Sequence, residues 1–260
     1  MLKGLFSRAV RKAVAEPAPT TGGALIYAVG DVHGRRDLLE TLLGKIEHDI
    51  VEVRADSRPV LVFIGDYVDR GPESRAVLER LIGLSKRSDI ELRALKGNHE
   101  AQLLSFLEDA RAGAAWLEFG GGATLQSYGV APPQGRADAA TWEAARQAFI
   151  AALPDDHLSF LSGLEVAVTC GDYLFVHAGV RPGIPLSLQT ESDLLWIRDD
   201  FLNAERACEK VVVHGHTPEV SPHIGRHRIG IDTGAYATAN LTAVRLHGIE
   251  RRVIQAGLSG

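Results

Sequence analysis

The chain has 260 residues, 45% apolar and 23% charged, with a formal net charge of −5. That composition excludes a disordered or collagen-like chain and leaves enough residues for one large domain with its own core. The acidic balance argues against nucleic acid as a partner, the more so because Lys3, Arg8, Arg11 and Lys12 all precede the first acid, Glu16.

Residues 1–15 set Leu2, Leu5, Phe6, Ala9, Val10, Ala13 and Val14 at helical spacing between basic residues, and a Pro/Gly-rich breaker stretch follows to Gly23. The segment 1–23 reads as a basic amphipathic tail on a linker, suited to peripheral contact with a membrane or a partner, or to fraying. The rest, 24–260, reads as one domain. Short β-branched runs at Ala24–Val29, Val60–Ile64 and Ile90–Leu95 predict strands, and each is followed by a helical stripe. The stripes are Leu38, Leu39, Leu42, Leu43 and Ile46, then Val77, Leu78, Leu81 and Ile82, then Leu103, Leu104, Phe106 and Leu107. Pro72 suits the first turn of the second helix. Strand-helix alternation of this kind predicts an α/β core.

Residues 111–160 are rich in Ala and Gly and carry Gly120-Gly121-Gly122, Pro132-Pro133 and a helical Thr141–Leu153. No Lys-Ser/Thr pair follows the glycines, so this is not a phosphate loop, and the segment reads as a helical insertion or cap over the site. Beyond it, Glu165–Thr169 and Tyr173–Val176 flank Cys170-Gly171-Asp172 as a hairpin, and Val211–Val213, Arg228–Ile231, Leu241–Leu246 and Ile249–Ile254 predict further strands of a mixed sheet system. No apolar run approaches the ~18–20 residues of a membrane span and there is no signal-peptide pattern, so a cytoplasmic location is expected. Cys170 and Cys208 lack metal or redox spacing and read as reduced thiols.

Five of the strand runs end in glycine-flanked polar clusters: Gly30-Asp31-Val32-His33-Gly34, Gly65-Asp66-Tyr67-Val68-Asp69-Arg70-Gly71, Gly97-Asn98-His99-Glu100, His177-Ala178-Gly179 and His214-Gly215-His216-Thr217-Pro218. Ligands of open α/β sheets bind at the carboxyl ends of strands, and these ends carry metal-ligand residue types. Asp31 and His33 stand two apart, so both face one side of an extended strand end. Each cluster alone is ordinary turn chemistry, but the five together point to a metal site. His48, His157, His223, His227 and His247 lie outside the clusters and read as structural.

On these motifs the chain resembles the calcineurin-like metallophosphoesterases, and within them the phosphoprotein phosphatases, especially bacterial serine/threonine members. The resemblance runs from about Ala24 to at least Ala235. It implies a double β-sandwich flanked by helices around a binuclear centre. Asp31 and His33 would hold one divalent ion, Asn98, His177 and His216 a second, and Asp66 would bridge them. His99 would be the general acid, oriented by Asp69, and Arg70 would clamp phosphate. Arg198 is the candidate second arginine, an ion pair with Asp199 or Asp200 being its alternative. Manganese is the favoured ion, with iron or zinc as alternatives, since nitrogen and oxygen ligands suit all three.

Two divalent ions give the site positive charge even on an acidic chain, and a hydroxide shared between ions ~3.5–4 Å apart is a nucleophile for direct attack at phosphorus. The expected substrate is phosphoserine or phosphothreonine in proteins; a symmetrical dinucleoside tetraphosphate or phosphotyrosine is the alternative. In the tetraphosphatases alanine typically stands at the place of Asp69 and aspartate at that of Glu100, so both residues here side with the protein phosphatases. Glu100 reads as a first-turn helix acid, His216 rather than His214 as the ligand, and Asp232-Thr233-Gly234-Ala235 receives no role. A monomer is favoured.

Overall fold

A computed structural model describes residues 17–55 and 57–257, so the tail expected over residues 1–15 lies outside the described residues. β1 (Leu25–Val29) leads to α1 (Arg36–Val53), β2 (Val60–Phe63) to α2 (Ser74–Ser85), and β3 (Glu91–Ala94) to α3 (Asn98–Glu108). Four helices follow in series: α4 (Gly113–Glu118), α5 (Gly121–Ser127), α6 (Ala139–Ala152) and α7 (Asp155–Ser162). The chain continues through β4 (Ala167–Cys170), β5 (Tyr173–Val176), α8 (Glu191–Trp196), α9 (Asp199–Leu202), β6 (Val211–His214), β7 (His223–Ile224) and β8 (Arg228–Gly230). It closes with α10 (Ala235–Thr238), β9 (Asn240–His247) and β10 (Glu250–Gly257).

Among the described residues the strands form two five-stranded sheets, in the orders β10-β9-β1-β2-β3 and β4-β5-β6-β8-β7. In the first sheet β1, β2 and β3 run parallel, while β9 and β10 are antiparallel additions at the other edge. Period-two alternation along β1 explains the layering. Leu25, Tyr27 and Val29 face the cluster shared with α1 and α2, whereas Ile26 and Ala28 face a second cluster with Phe175, Val213 and Ile229 of the other sheet. A third cluster joins Leu174, Val176 and Val212 to Leu194 and Phe201 outside the second sheet. The result is the expected α/β double sandwich flanked by helices.

The helical stripes fall as predicted: Leu38, Leu39, Leu42, Leu43 and Ile46 are the apolar side chains that α1 buries. Pro72 does not. It precedes α2 and its cap residue Glu73, whose N–H donates to Gly34 O at 3.0 Å, so the loop before the helix is tied to the β1–α1 turn. The hairpin strand starts at Ala167, because Glu165 bridges Leu95 instead and couples the edge strands of the two sheets. Among the described residues no helix is long and apolar enough to cross a membrane.

Candidate metal centre

The loops after β1, β2, β3, β5 and β6 bring the five polar clusters together. Their backbones are contorted: His33, Asp66, Asp69, Arg70 and His216 all have φ between 45° and 71°, a region that non-glycine residues seldom occupy. Hydrogen bonds between loops hold them there, with the N–H groups of Val32 and His33 donating to Asp66 O at 3.0 and 2.8 Å. The Glu100 carboxylate, fully buried, accepts from the N–H of Asp66 at 2.8 Å, of Tyr67 at 2.8 Å and of Gly97 at 2.9 Å. Glu100 is therefore more than the first-turn acid expected of it; it clamps the Asp66 loop to the start of α3. Burial and the Asp66 charge push its carboxyl up to about 7, against the pull of these N–H donors. Gly97 is required at its position, because a Cβ there would lie 2.1 Å from Asp66 Oδ1.

The side chains show why this cluster fits metal ions. His177 Nδ1 lies 2.9 Å from Ile64 O and His33 Nδ1 2.9 Å from Val68 O. A carbonyl only accepts, so each Nδ1 is the donor and each neutral ring is left with a lone pair on Nε2. Burial keeps these rings neutral, lowering His177 and carrying His33 to about 3. The His177 lone pair then meets Asn98 Oδ1 at 2.8 Å and Asp66 Oδ1 at 3.5 Å, while that of His33 meets Asp66 Oδ2 at 3.5 Å. His216 Nδ1 converges on the same Asn98 oxygen at 2.9 Å, and burial lowers this ring to about 2. The acceptor on His177 Nε2 crowds Asn98 Oδ1 and Asp66 Oδ1, and that on His33 crowds Asp66 Oδ2; acceptors face to face repel unless a cation stands among them.

Two sets of ligand-type atoms lie within 4.8 Å of one another: His33, Asp66 and His99, and Asp66, His177 and His216. Asp66 belongs to both, one oxygen towards His33 and the other towards His177. Asp31 stands beside these sets. Its Oδ2 accepts from His216 N at 3.0 Å, while Oδ1 and the His216 Nε2 are buried without a hydrogen-bond partner among the described residues. An orphaned carboxylate oxygen in a buried site is what a metal ligand leaves when its ion is taken away. Burial and the Asp232 charge raise the Asp31 carboxyl well above its ordinary range, so Asp232, given no role from sequence, is an electrostatic neighbour of the centre.

His99 sits at the edge of the cluster, its Nδ1 2.7 Å from Asp69 Oδ2. Burial lowers its pKa, but the Asp66 and Asp69 carboxylates outweigh that and raise it overall. Asp69 is held by Trp116 Nε1–H at 2.9 Å and Thr124 Oγ1–H at 2.6 Å, both from the helices between α3 and β4. These two residues, and Glu100 as a clamp, are missed by sequence reasoning. Trp116 and Thr124 lie 47 and 55 residues from Asp69, and no local pattern announces such a contact. Arg70 Nη2 is 3.1 Å from His99 Nε2, and its guanidinium lies over the Tyr236 ring at 4.6 Å. The Arg198 guanidinium donates to His216 O at 3.3 Å and Thr217 Oγ1 at 3.2 Å, while Asp200 pairs with Arg181. The structure thus turns Arg198 towards the centre. His214, by contrast, packs on Phe201 with centroids 4.9 Å apart, and His157 bonds Tyr128 Oη at 2.6 Å; neither joins the cluster.

Comparison with known proteins agrees with this geometry. A symmetrical bis(5'-nucleosyl)-tetraphosphatase of Acidovorax sp. (strain JS42) is 32% identical over 161 residues, 60% of this chain and 44% of that protein. The match thus spans less than half the length of that relative. An asymmetrical bis(5'-nucleosyl)-tetraphosphatase of Geobacillus sp. (strain WCH70) is 26% identical over 251 residues, 90% of this chain and 95% of the relative. A crystal structure described as a candidate diadenosine tetraphosphatase superposes with TM-score 0.61 at 21% identity, covering 94% of this chain and 100% of that one, which shows a common fold. These names bear the alternative substrate rather than the expected phosphoserine or phosphothreonine. The model of the calcineurin-like phosphoesterase family matches residues 24–246, and the chain belongs to that family.

Proposed function

We propose that this chain is a metal-dependent hydrolase of dinucleoside polyphosphates. The phosphoesterase chemistry rests on the convergence of ligand-type atoms from His33, Asp66, Asn98, His177 and His216; the substrate rests on the tetraphosphatase names of the relatives. Asp31 and His33 would hold one ion, Asn98, His177 and His216 another, and Asp66 would bridge, since its two oxygens face different histidines. Bound there, two divalent ions would lower the pKa of a water towards ~7 and polarise the phosphoryl oxygens.

The remaining steps belong to side chains. Arg70 and Arg198 flank the centre and offer donors to the phosphoryl oxygens, Arg70 with the planar fork that suits bidentate contact. His99 Nε2, which accepts from Arg70 here, would deliver a proton to the leaving oxygen once Arg70 turns to the phosphate, and Asp69, accepting from Nδ1–H, fixes the ring and favours its charged form. Trp116 and Thr124 hold Asp69 in turn.

A second reading, hydrolysis of phosphoserine or phosphothreonine, is favoured by one observation: the 2.7 Å contact between His99 and Asp69. An alkoxide leaves with a far higher proton demand than a nucleotide phosphate, so an oriented acid serves it more. Manganese-reconstituted protein offered diadenosine tetraphosphate, a phosphoserine/phosphothreonine peptide and a phosphotyrosine peptide side by side separates the readings. Preferred cleavage of the dinucleotide supports the proposal; preference for either peptide overturns its substrate and leaves the metal chemistry standing.

A further inference from the structure

Two aromatic side chains near the centre serve no core. Phe119, at the end of α4, and Trp196, the last residue of α8, are half-buried and belong to none of the three hydrophobic clusters of the described residues. By contrast Phe106, Trp116 and Phe149 are fully buried in the first cluster. Phe119 and Trp196 meet each other, with centroids 5.7 Å apart. Each also meets a histidine of the centre: Phe119 lies 6.0 Å from His99 and Trp196 6.2 Å from His216. The pair therefore spans the two sides of the site, from the proposed acid to the proposed second-ion ligand, and keeps partly exposed aromatic surface beside a strongly polar cleft. Aromatic rings left half-buried at the edge of a polar site, outside any core cluster, suit ligand recognition better than packing.

The rim thus has two kinds of surface. Arg70 and Arg198 supply donors for phosphate oxygens, and Phe119 and Trp196 supply π-faces that phosphate cannot use. A ligand that satisfies both joins a phosphate to an aromatic ring system through a short spacer. A phosphorylated serine or threonine side chain has no ring to place there, and phosphotyrosine bears its phosphate on the ring oxygen itself, without the spacer. We infer that Phe119 and Trp196 form a stacking wall for the nucleobase of a nucleotide whose phosphate occupies the centre, an inference that rests on the dinucleotide reading above. Base stacking on aromatic side chains tolerates any base, so the wall selects for a nucleotide and not for one base.

The test compares adenosine monophosphate with ribose 5-phosphate, which carries the same phosphate and sugar without the base, as inhibitors of nitrophenyl phosphate turnover by the manganese-loaded full chain. Stacking predicts that adenosine monophosphate inhibits at about tenfold lower concentration than ribose 5-phosphate. Trp196→Leu brings the two constants together, Trp196→Phe keeps most of the difference, and the ribose 5-phosphate constant stays unchanged in both. Phe119→Leu supplies an independent variant should Trp196→Leu fail to fold. Equal constants in the unmodified protein, or a base advantage that survives in the leucine variants, overturns the wall. Diadenosine tetraphosphate is assayed in parallel. If it is cleaved while the base advantage is missing, the wall alone fails; if it is not cleaved, the dinucleotide reading fails and takes the substrate basis of the inference with it.

Discussion

His99 is where two differently built regions of the molecule meet. The strand ends bring Asp31, His33, Asp66, Asn98, His177 and His216 to the centre through loops that follow β1, β2, β3, β5 and β6 directly. Inter-loop backbone bonds tie the loops after β1 and β2 together, where His33, Asp66, Asp69 and Arg70 are left-handed, and Glu100 clamps the Asp66 loop. The helices between α3 and β4 reach the same histidine from outside, through Trp116 and Thr124 on Asp69 and through the Phe119 ring. On the proposed reading the first region would hold the ions and the phosphate. The second holds Asp69 against His99 and sets Phe119 beside it, so on that reading the chemistry and its tuning would come from separate stretches of chain.

Substitutions on either side can break that division. The largest effect belongs to Asp66→Asn, which removes the carboxylate shared by both ligand sets; turnover is expected to fall further than the ~10²–10⁴-fold that loss of an acid alone explains. Steady-state rates on the preferred substrate check this. His99→Asn comes next, with kcat lowered ~10²–10⁴-fold and metal content unchanged by elemental analysis. Loss of metal together with rate would place His99 among the ligands, as its position beside His33 and Asp66 permits.

Trp116→Phe tests the outer region. It removes one donor to a buried carboxylate, a bond worth ~1.5–3 kcal/mol, so kcat should fall about tenfold or somewhat more, and more on alkyl than on nitrophenyl phosphates. An equal loss on both esters would separate Trp116 from the orientation of the acid. The smallest effect lies in stability alone. Burial lowers the pKa of His157 below its ordinary value, so the unfolded chain takes up a proton that the folded chain refuses as pH falls through about 6.5. Stability contributed by the neutral ring is therefore present above that pH and lost below it. His157→Gln should flatten the fall in stability between about pH 7 and 5, by less than the one-proton ceiling of about 1.4 kcal/mol per pH unit, and leave turnover unchanged.

The residues that converge at the candidate centre are legible because they follow strands in short motifs. Two-residue spacing puts Asp31 and His33 at one strand end, and an apolar run ending in Gly and Asp marks the next. The α1 and α2 stripes were equally plain, since a period of 3.6 is a local property. The two-layer arrangement was not. It depends on which sheet each face of β1 meets, and only the resemblance to a known family supplied it. The clamp by Glu100 is hidden for a similar reason: an acid in the first turn of a helix looks the same whether it faces solvent or accepts the N–H groups of Asp66, Tyr67 and Val68 from another loop. Trp116, Thr124 and Phe119 lie in a segment that reads as a helical insertion or cap over the site, but its Gly- and Ala-rich composition does not tell which side chains reach Asp69 and His99. Their contacts are made across the fold.

The central claim is that one carboxylate serves two ions, and metal content per chain tests it most directly. Purified protein reconstituted with manganese and freed of excess ion should carry two ions per chain, and Asp66→Asn should be depleted of both while retaining its folded circular dichroism spectrum. Two ions retained by the folded variant would contradict the bridge.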